Sequence, residues 1–501
     1  MAIRVGTATR AIRTVQGPTQ RVVIVGAGLG GLSAALRLAA AGREVTVVER
    51  EPVPGGRAGL LQRDGYTFDT GPTVLTMPDL IADALGCVGE RMEDWLKLVR
   101  LDPVYRASFA DGTRLDVRAD SNDMAEEIAR VCGGREAFGY RRFQRFMEQM
   151  YRYEMNDFID RNIDGPWNLL TPNLARLVAL GGFRRLAPKV ASYLRDERTQ
   201  RIFSFQAMYA GVSPQQALAL YAVIAYMDTV GGVFFPVGGV HAVPRALAGA
   251  AEKHGVVFRY GTEAARVEMS GRRARAVITT DGERIPADAV ILNPDLPVAH
   301  RELLGREPRS VRRLRYSPSC FLLLSGGRAT HPDLGHHNIH FGRAWRTVFS
   351  ELLDRGRLMS DPSFFVTSPS HTDPQLAPPD RHTYYTLFPT PNLRSGIDWD
   401  RLGPLYRDEV AATLESHGYT GFGSAMEVEH MITPADWERM GMAEGTPFAA
   451  SHVFSQTGPF RPGNLHGENV VFAGSGTRPG VGVPMVLISG RLAAQRITGE
   501  V

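Results

Sequence analysis

The stretch "VVIVGAGLGG", residues 22–31, restricts this chain more than any other. Four β-formers run straight into Gly26-x-Gly28-x-x-Gly31. A helical pattern, "LSAALRLAAAG", follows, then a second apolar strand, "EVTVVER", closing on Glu49 and Arg50. Strand, glycine loop, helix, strand and acid in this register form a βαβ unit with the dinucleotide-binding fingerprint. Gly26 permits the tight turn, Gly28 admits a pyrophosphate, and Gly31 lets helix and strand pack closely. The helix start offers free N–H groups and a partial positive charge. Glu49, 23 residues after Gly26, sits where an acid binds ribose hydroxyls. Its charge would repel a 2′-phosphate, which argues against NADP.

A second glycine-rich loop lies more than 440 residues later, in "VVFAGSGTRPGVGVPMVLISGRLAAQRI", Val470 to Ile497. It too runs from an apolar strand into a helical pattern. Two further stretches stand out. "REPVPGGRAGLLQRDGYTFDTGPTVLTMPD" directly follows Glu49 and holds Gly55-Gly56-Arg57 and the "DTGP" of Asp69 to Pro72. Residues 256–292 alternate short β-rich runs with Gly261, Gly271 and Asp281-Gly282, a meander pattern that ends in the strand-like "ADAVIL".

With 501 residues the chain is too long for one ordinary core, so two or three lobes are expected. No fixed-period repeat or low-complexity tract interrupts it. Net charge is +4 and the pI about 9.0. This mild basicity suits an anionic membrane surface as well as nucleic acid, and nothing else in the sequence speaks for nucleic acid. Cys87, Cys132 and Cys320 are widely spaced, so neither a disulfide framework nor a metal site is expected, and a reducing compartment is. The first twenty residues have Arg and Thr but no apolar core of a secretory signal. The uncharged run near Ile202 to Met227 is broken by Gly211-Val212-Ser213-Pro214, which excludes a spanning helix there.

The Gly55-Gly56-Arg57 motif behind the ribose acid resembles that of the FAD-containing amine oxidase and carotenoid desaturase superfamily. The resemblance narrows further along the chain. "GPTVLTMP", "ASYLRDERTQRIFSFQAMYAG", "GGVFFPVGGVHAVPRAL", "HHNIHFGRAWRTVFSELL", "SPSHTDPQLAP", "FRPGN" and "GSGTRPGVGVP" are similar, in order, to blocks of the bacterial-type phytoene desaturases. Two departures stand out. Arg478 occupies a place where relatives often have His. Arg145 lies near a place where some carry an Asp proposed as proton acceptor, so no catalytic residue is assigned.

The resemblance implies an α/β fold. A Rossmann-type FAD-binding lobe, discontinuous in sequence, joins a mixed α+β substrate lobe with a helical, membrane-facing part. The expected division is a flexible basic tail over 1–20, FAD-binding segments at 21–105, 231–305 and 461–501, and substrate-lobe segments at 106–230 and 306–460. FAD is the implied cofactor. Its implied contacts begin with Gly26, Ala27, Gly28, Gly30 and Gly31 at the pyrophosphate and Glu49 and Arg50 at the ribose. Gly55, Gly56, Arg57, Gly71 and Pro72 follow along the phosphates and toward the ring, with Val267 at the adenine. Gly474, Ser475, Gly482, Val483 and Pro484 lie beside the ribityl chain and isoalloxazine. FAD is long enough to need both ends of the chain, which would explain the second loop.

The implied activity is stepwise dehydrogenation of phytoene toward lycopene, by hydride transfer from an allylic carbon to flavin, with oxygen or a membrane quinone as final acceptor. A hydrocarbon substrate needs apolar walls, in keeping with the absence of a nucleophile triad, metal cluster or acid pair in the sequence. Most Phe and Tyr of the substrate lobe are expected in plain core. A lipid-soluble substrate implies a cytoplasmic protein attached peripherally to the membrane, as a monomer or an oligomer. The basic, apolar segment Leu169 to Glu197 is a candidate contact. A carotenoid ketolase, an isomerase, a desaturase of another carotene and a non-catalytic FAD-bound scaffold remain alternatives. A flavin amine oxidase is disfavoured, because it would want a Lys near the flavin and the last loop has none.

Overall fold

The structure is a computed structural model and describes residues 12–331 and 333–499. A six-stranded sheet gathers pieces from the whole chain. Its order is Leu465–His466, Val470–Phe472, Ala289–Leu292, Arg21–Val25, Glu44–Val48 and Val257–Arg259. All neighbours are parallel except the pair at the Leu465–His466 edge. Both faces are covered, as parallel sheets require, and the strand's two-residue period divides the covering. Val22 and Ile24 pack with Leu32 and Leu36 of helix Leu29–Ala40 and Leu487 of helix Val483–Thr498. Val23 and Val25 pack on the other face with Val267 and Val277. Those belong to the antiparallel meander Ala264–Ser270, Arg273–Thr279 and Arg284–Pro286.

The second lobe is built on a seven-stranded mixed sheet. Its order is Met426–Ile432, Ser319–Gly327, His382–Thr390, Phe364–Thr367, His337–Phe341, Tyr105–Phe109 and Arg114–Val117. Every residue of Ser319–Gly327 is buried. Helix Trp399–Ser416 packs Tyr406, Val410 and Leu414 against Phe321 and Leu323 of this sheet. Helices Ser121–Cys132, Gly134–Glu154 and Ala222–Thr229 form a larger apolar cluster with Tyr105–Phe109 and His337–Phe341.

One expectation needs correction. Of the tail expected at 1–20, residues 1–11 lie outside the described residues, and the rest is docked. Val15 is buried, and its N–H donates to the Arg496 carbonyl at 2.7 Å. Arg496 in turn donates to the Arg13 carbonyl, so the segment is tied to the C-terminal helix. The Arg13 backbone N–H also reaches Asp164 at 2.8 Å. The Leu169 to Glu197 segment, the candidate membrane contact, holds two short helices. It folds as Pro172–Leu180 and Leu186–Ala191, interrupted at Gly181, which caps the first helix in the left-handed conformation.

Candidate active site

The two glycine loops meet. Helices Leu29–Ala40 and Val483–Thr498 lie side by side, and the Ser33 hydroxyl donates to the Leu487 carbonyl at 2.8 Å. A Cβ on Gly30 would stand 3.0 Å from the Gly474 nitrogen, so the loops are nearly in backbone contact. Neither helix has a side-chain cap, and neither carries an acid in its first turn. Two helix N-termini, each with free N–H groups, therefore stand at one place.

Both loops line one cavity of about 1440 Å³. This exceeds the ordinary range of small-ligand sites, roughly 300–1,000 Å³, and leaves room for a cofactor and a second long molecule. In its wall stand Gly26, Gly28 and Gly30 of the first loop, Glu49 and Arg50, then Gly55, Gly56 and Arg57. Gly71 and Pro72 join them, with Gly474, Ser475, Gly482, Val483 and Pro484 of the last loop. Gly26 takes φ 99°, which a side chain would strain.

Three expected residues are placed differently. Ala27 turns away from the cavity, and its N–H donates to Glu49 Oε2 at 2.6 Å. Gly31 packs on the turn itself, where a Cβ would collide with the Gly26 carbonyl. Val267 is not in the wall either. The chain enters the meander at Ala264, so Thr262, Glu263 and Ala264 face the cavity, while Val267 lies three residues further into the buried cluster.

Glu49 is buried and holds the loop by both oxygens, accepting the Ala27 N–H and, at 3.0 Å, the Glu51 N–H. Burial raises its carboxyl above the usual range, and those two N–H groups oppose the rise. Arg57 bridges the chain's distant parts. It donates to Ser475 Oγ and pairs with Asp295 at 2.7 Å. Asp295 also accepts the Ala443 N–H at 2.9 Å. Arg57→Ala leaves a nearly buried carboxylate with only that backbone donor. We expect a loss of about 1–3 kcal/mol of stability, read as a lower thermal midpoint, and a weaker hold on cofactor.

Several wall residues escaped the sequence reading. Asn293 and Asp295 follow strand Ala289–Leu292, at the carboxyl end beside Arg21–Val25. Residues there commonly contact ligand in such sheets, so "LNPD" is a readable signal in retrospect. Arg461 was noted only within "FRPGN". It is 1% exposed and donates to the carbonyls of Ser475, Thr477 and Ala450, which shapes the last loop. Burial pushes its guanidinium down to about 10. Arg478, where relatives often have His, donates to the carbonyls of Arg461 and Pro459 at 3.1 and 2.7 Å. Arg145 is exposed on its helix and does not reach the cavity.

Away from the loops the cavity becomes an apolar arm. Phe205, Met208, Val223, Ile224 and Met227 line it from one side, and Phe341, Trp345, Phe349 and Leu352 from the other. Phe203 and Phe235, from the same aromatic-rich blocks, are plain core. None of the three lysines is in the cavity wall. Among the described residues there is no cluster of metal-ligating side chains.

The loop end of this wall fits a dinucleotide cofactor. Its glycines leave a cradle that side chains would fill: a Cβ on Gly56 would stand 3.2 Å from the Gly28 Cα. Among the described residues the covered Arg57 Nε has no hydrogen-bond partner. A two-lobed fold with a nucleotide cradle and an adjoining apolar arm suits a dinucleotide-dependent oxidoreductase. Residues 29–498 match the flavin-containing amine oxidoreductase family. The chain belongs to that family and is an FAD-dependent oxidoreductase. It is 58% identical to a phytoene dehydrogenase of Streptomyces griseus, over 97% of this chain and 96% of that protein. It is 39% identical to a zeta-carotene-forming phytoene desaturase of Myxococcus xanthus, over 95% and 94% of the two chains. Among solved structures, an oxidoreductase from Methanosarcina mazei shares the fold. Its TM-score is 0.61 at 20% identity, covering 94% of this chain and 99% of that one.

Proposed function

We propose that the protein dehydrogenates phytoene stepwise toward lycopene in carotenoid biosynthesis. The apolar arm carries this reading: a forty-carbon hydrocarbon needs a wall built mainly of apolar side chains, and the arm supplies one beside the two glycine loops. The similarity to phytoene dehydrogenases supports it. The lysine-free wall lacks the Lys that a flavin amine oxidase would want near the flavin.

Bound FAD supplies the oxidant, accepting a hydride from an allylic carbon of the substrate. The chain's own residues hold and orient. Gly26, Gly28 and Gly30 would seat the pyrophosphate at the start of helix Leu29–Ala40, with Glu49 and Arg50 at the ribose. Gly55, Gly56 and Arg57 would lie along the phosphates, and Gly71 and Pro72 toward the ring. Gly474, Ser475, Gly482, Val483 and Pro484 would border the ribityl chain and ring. There the uncapped helix Val483–Thr498 favours negative charge. The arm aligns the polyene and excludes water. The test is anaerobic mixing of the FAD-loaded protein with phytoene in liposomes. Bleaching of the flavin absorbance is expected; an unchanged spectrum would refute the substrate.

We also propose peripheral membrane attachment at the mouth of the arm. Among the described residues no helix is long and apolar enough to cross a membrane. Trp167, Leu170 and Val178 are exposed. Phe183, Phe454 and Phe460 are exposed as well and also line the cavity. The rings of Phe454 and Phe460 are 5.6 Å apart. Arg184 and Arg185, beside Phe183, suit anionic headgroups. Wild-type protein is expected to float with anionic liposomes and a Phe183→Ser, Phe454→Ser, Phe460→Ser variant to stay in the soluble fraction. Equal flotation of the two would refute this docking face. Oxygen and a membrane quinone are both retained as final acceptors, separable by comparing turnover under air with anaerobic turnover on added quinone.

A further inference from the structure

One buried ionisable group in the cavity wall has no assigned partner. Glu154 ends helix Gly134–Glu154, just before the π-turn Met155–Ile159. It is 7% exposed, and among the described residues its covered Oε1 accepts no hydrogen bond. It lines the cavity beside Phe158 and Ile159. The other buried carboxylates of this wall are engaged. Glu49 holds two backbone N–H groups, Asp295 pairs with Arg57, and Asp228 accepts the Tyr105 hydroxyl at 3.0 Å.

Glu154 also stands near the junction of arm and loop. It shares the cavity wall with Tyr221, whose hydroxyl donates to the His452 carbonyl at 3.2 Å. The His452 ring in turn lies against Gly480 of the last glycine loop. An unpaired buried carboxyl is destabilising, and no described packing or hydrogen bond offsets it.

We propose that Glu154 is the catalytic base of the desaturation, taking the proton from the carbon next to the one that loses hydride. This rests on the substrate reading above. Each step removes two hydrogens across one C–C single bond. One leaves with its C–H electron pair, accepted by the bound FAD. The second C–H bond breaks, its electron pair becomes the new C=C bond, and its proton bonds to a Glu154 oxygen. The carboxyl releases that proton to solvent before the next step.

The surroundings support this chemistry. Burial alone holds the Glu154 carboxyl well above its ordinary value of 4.5. The same desolvation makes its ionised form a stronger base than an exposed carboxylate, and a cationic polyene alongside would favour ionisation. The neighbouring titratable groups carry no charge at neutral pH. Burial pushes the Tyr221 phenol up, and burial with Arg461 holds His452 well below its usual range. The cations Arg461 and Arg478 are committed to backbone carbonyls. The active form is the carboxylate, so dehydrogenation should rise with pH along an acid limb displaced upward from 4.5.

The experiment compares FAD-loaded wild type, Glu154→Gln and Glu154→Asp. Each is mixed anaerobically with phytoene-loaded liposomes across pH while flavin bleaching and formation of the conjugated product are followed. Infrared spectra of the proteins without substrate provide a readout independent of activity. Glu154→Gln is expected to form the conjugated product about 100-fold to 10,000-fold more slowly at unchanged flavin content, without the acid limb. Glu154→Asp should keep the limb at a reduced rate. The wild type should show a protonated-carboxyl band that persists above pH 4.5, fades along the acid limb, and is missing from Glu154→Gln. Product formation by Glu154→Gln at the wild-type rate, an acid limb that persists in it, or absence of that band in wild type would each overturn the assignment while the substrate reading stands. Wild type that phytoene fails to bleach would sink the substrate reading and this assignment with it.

Discussion

A Gly30→Val protein is expected to purify colourless, without bound flavin. The site has no room for the change. A Cβ at Gly30 would already stand 3.0 Å from both the Gly474 nitrogen and Asn293 Nδ2, before the two valine methyls are added. Neither neighbour is free to retreat. The Gly474 N–H donates to Ser489 Oγ at 3.0 Å, and Asn293 Nδ2 donates to the Ala473 carbonyl at 3.1 Å. Overpacking of this kind costs about 1–3 kcal/mol, and here it falls on the contact between the two glycine loops. Pushing them apart separates the helix starts that would hold the two ends of the cofactor. Flavin affinity should fall by about 100-fold or more, which corresponds to about 2.8 kcal/mol. The measurement is the flavin-to-protein ratio after gel filtration. Gly86→Ala is the control, because a Cβ there meets nothing within 4 Å. Full flavin content in Gly30→Val would mean that the loop contact does not matter for the cofactor.

A Val223→Asp protein is expected to fail in the opposite way, keeping flavin and losing turnover. Val223 is 5% exposed and lines the arm from helix Ala222–Thr229. It lies outside the glycine loops. An aspartate there is too short to carry its charge to solvent, unlike a lysine or arginine. Burying it without a partner costs several kcal/mol when ionised, and a protonated acid still leaves polar groups unmet. A hydrocarbon offers neither group a hydrogen bond. Turnover on phytoene should fall at least about 100-fold, equivalent to about 2.7 kcal/mol of transition-state stabilisation, with the flavin ratio unchanged. Val223→Leu preserves the apolar wall and should remain active. Similar activity in Val223→Asp and Val223→Leu would mean that the substrate does not travel this arm.

The parts of the molecule legible in sequence are those where local chemistry repeats a rule. The βαβ unit announces itself because glycines, apolar strand and acid must stand in fixed register, and strands Arg21–Val25 and Glu44–Val48 lie as the pattern requires. The second loop was legible for the same reason, and its meeting with the first follows from helices that pack as neighbours. What stayed hidden depends on three-dimensional neighbours. Val267 and Ala264 differ by three positions in one β-rich run, and only the sheet decides which faces the cavity. Arg461 looks like any surface arginine until the carbonyls of three loop residues surround it. Glu154 sits in a helix rich in Arg and Glu, and nothing in its spacing marks it as the one facing an apolar arm.

The most direct test of the account is product formation. Purified protein, FAD and phytoene in liposomes would be incubated with oxygen or quinone, and the pigments extracted for absorption and chromatography. The account predicts new visible bands from longer conjugated polyenes, their positions counting the steps toward lycopene. Phytoene recovered intact from a protein that holds its FAD would contradict it.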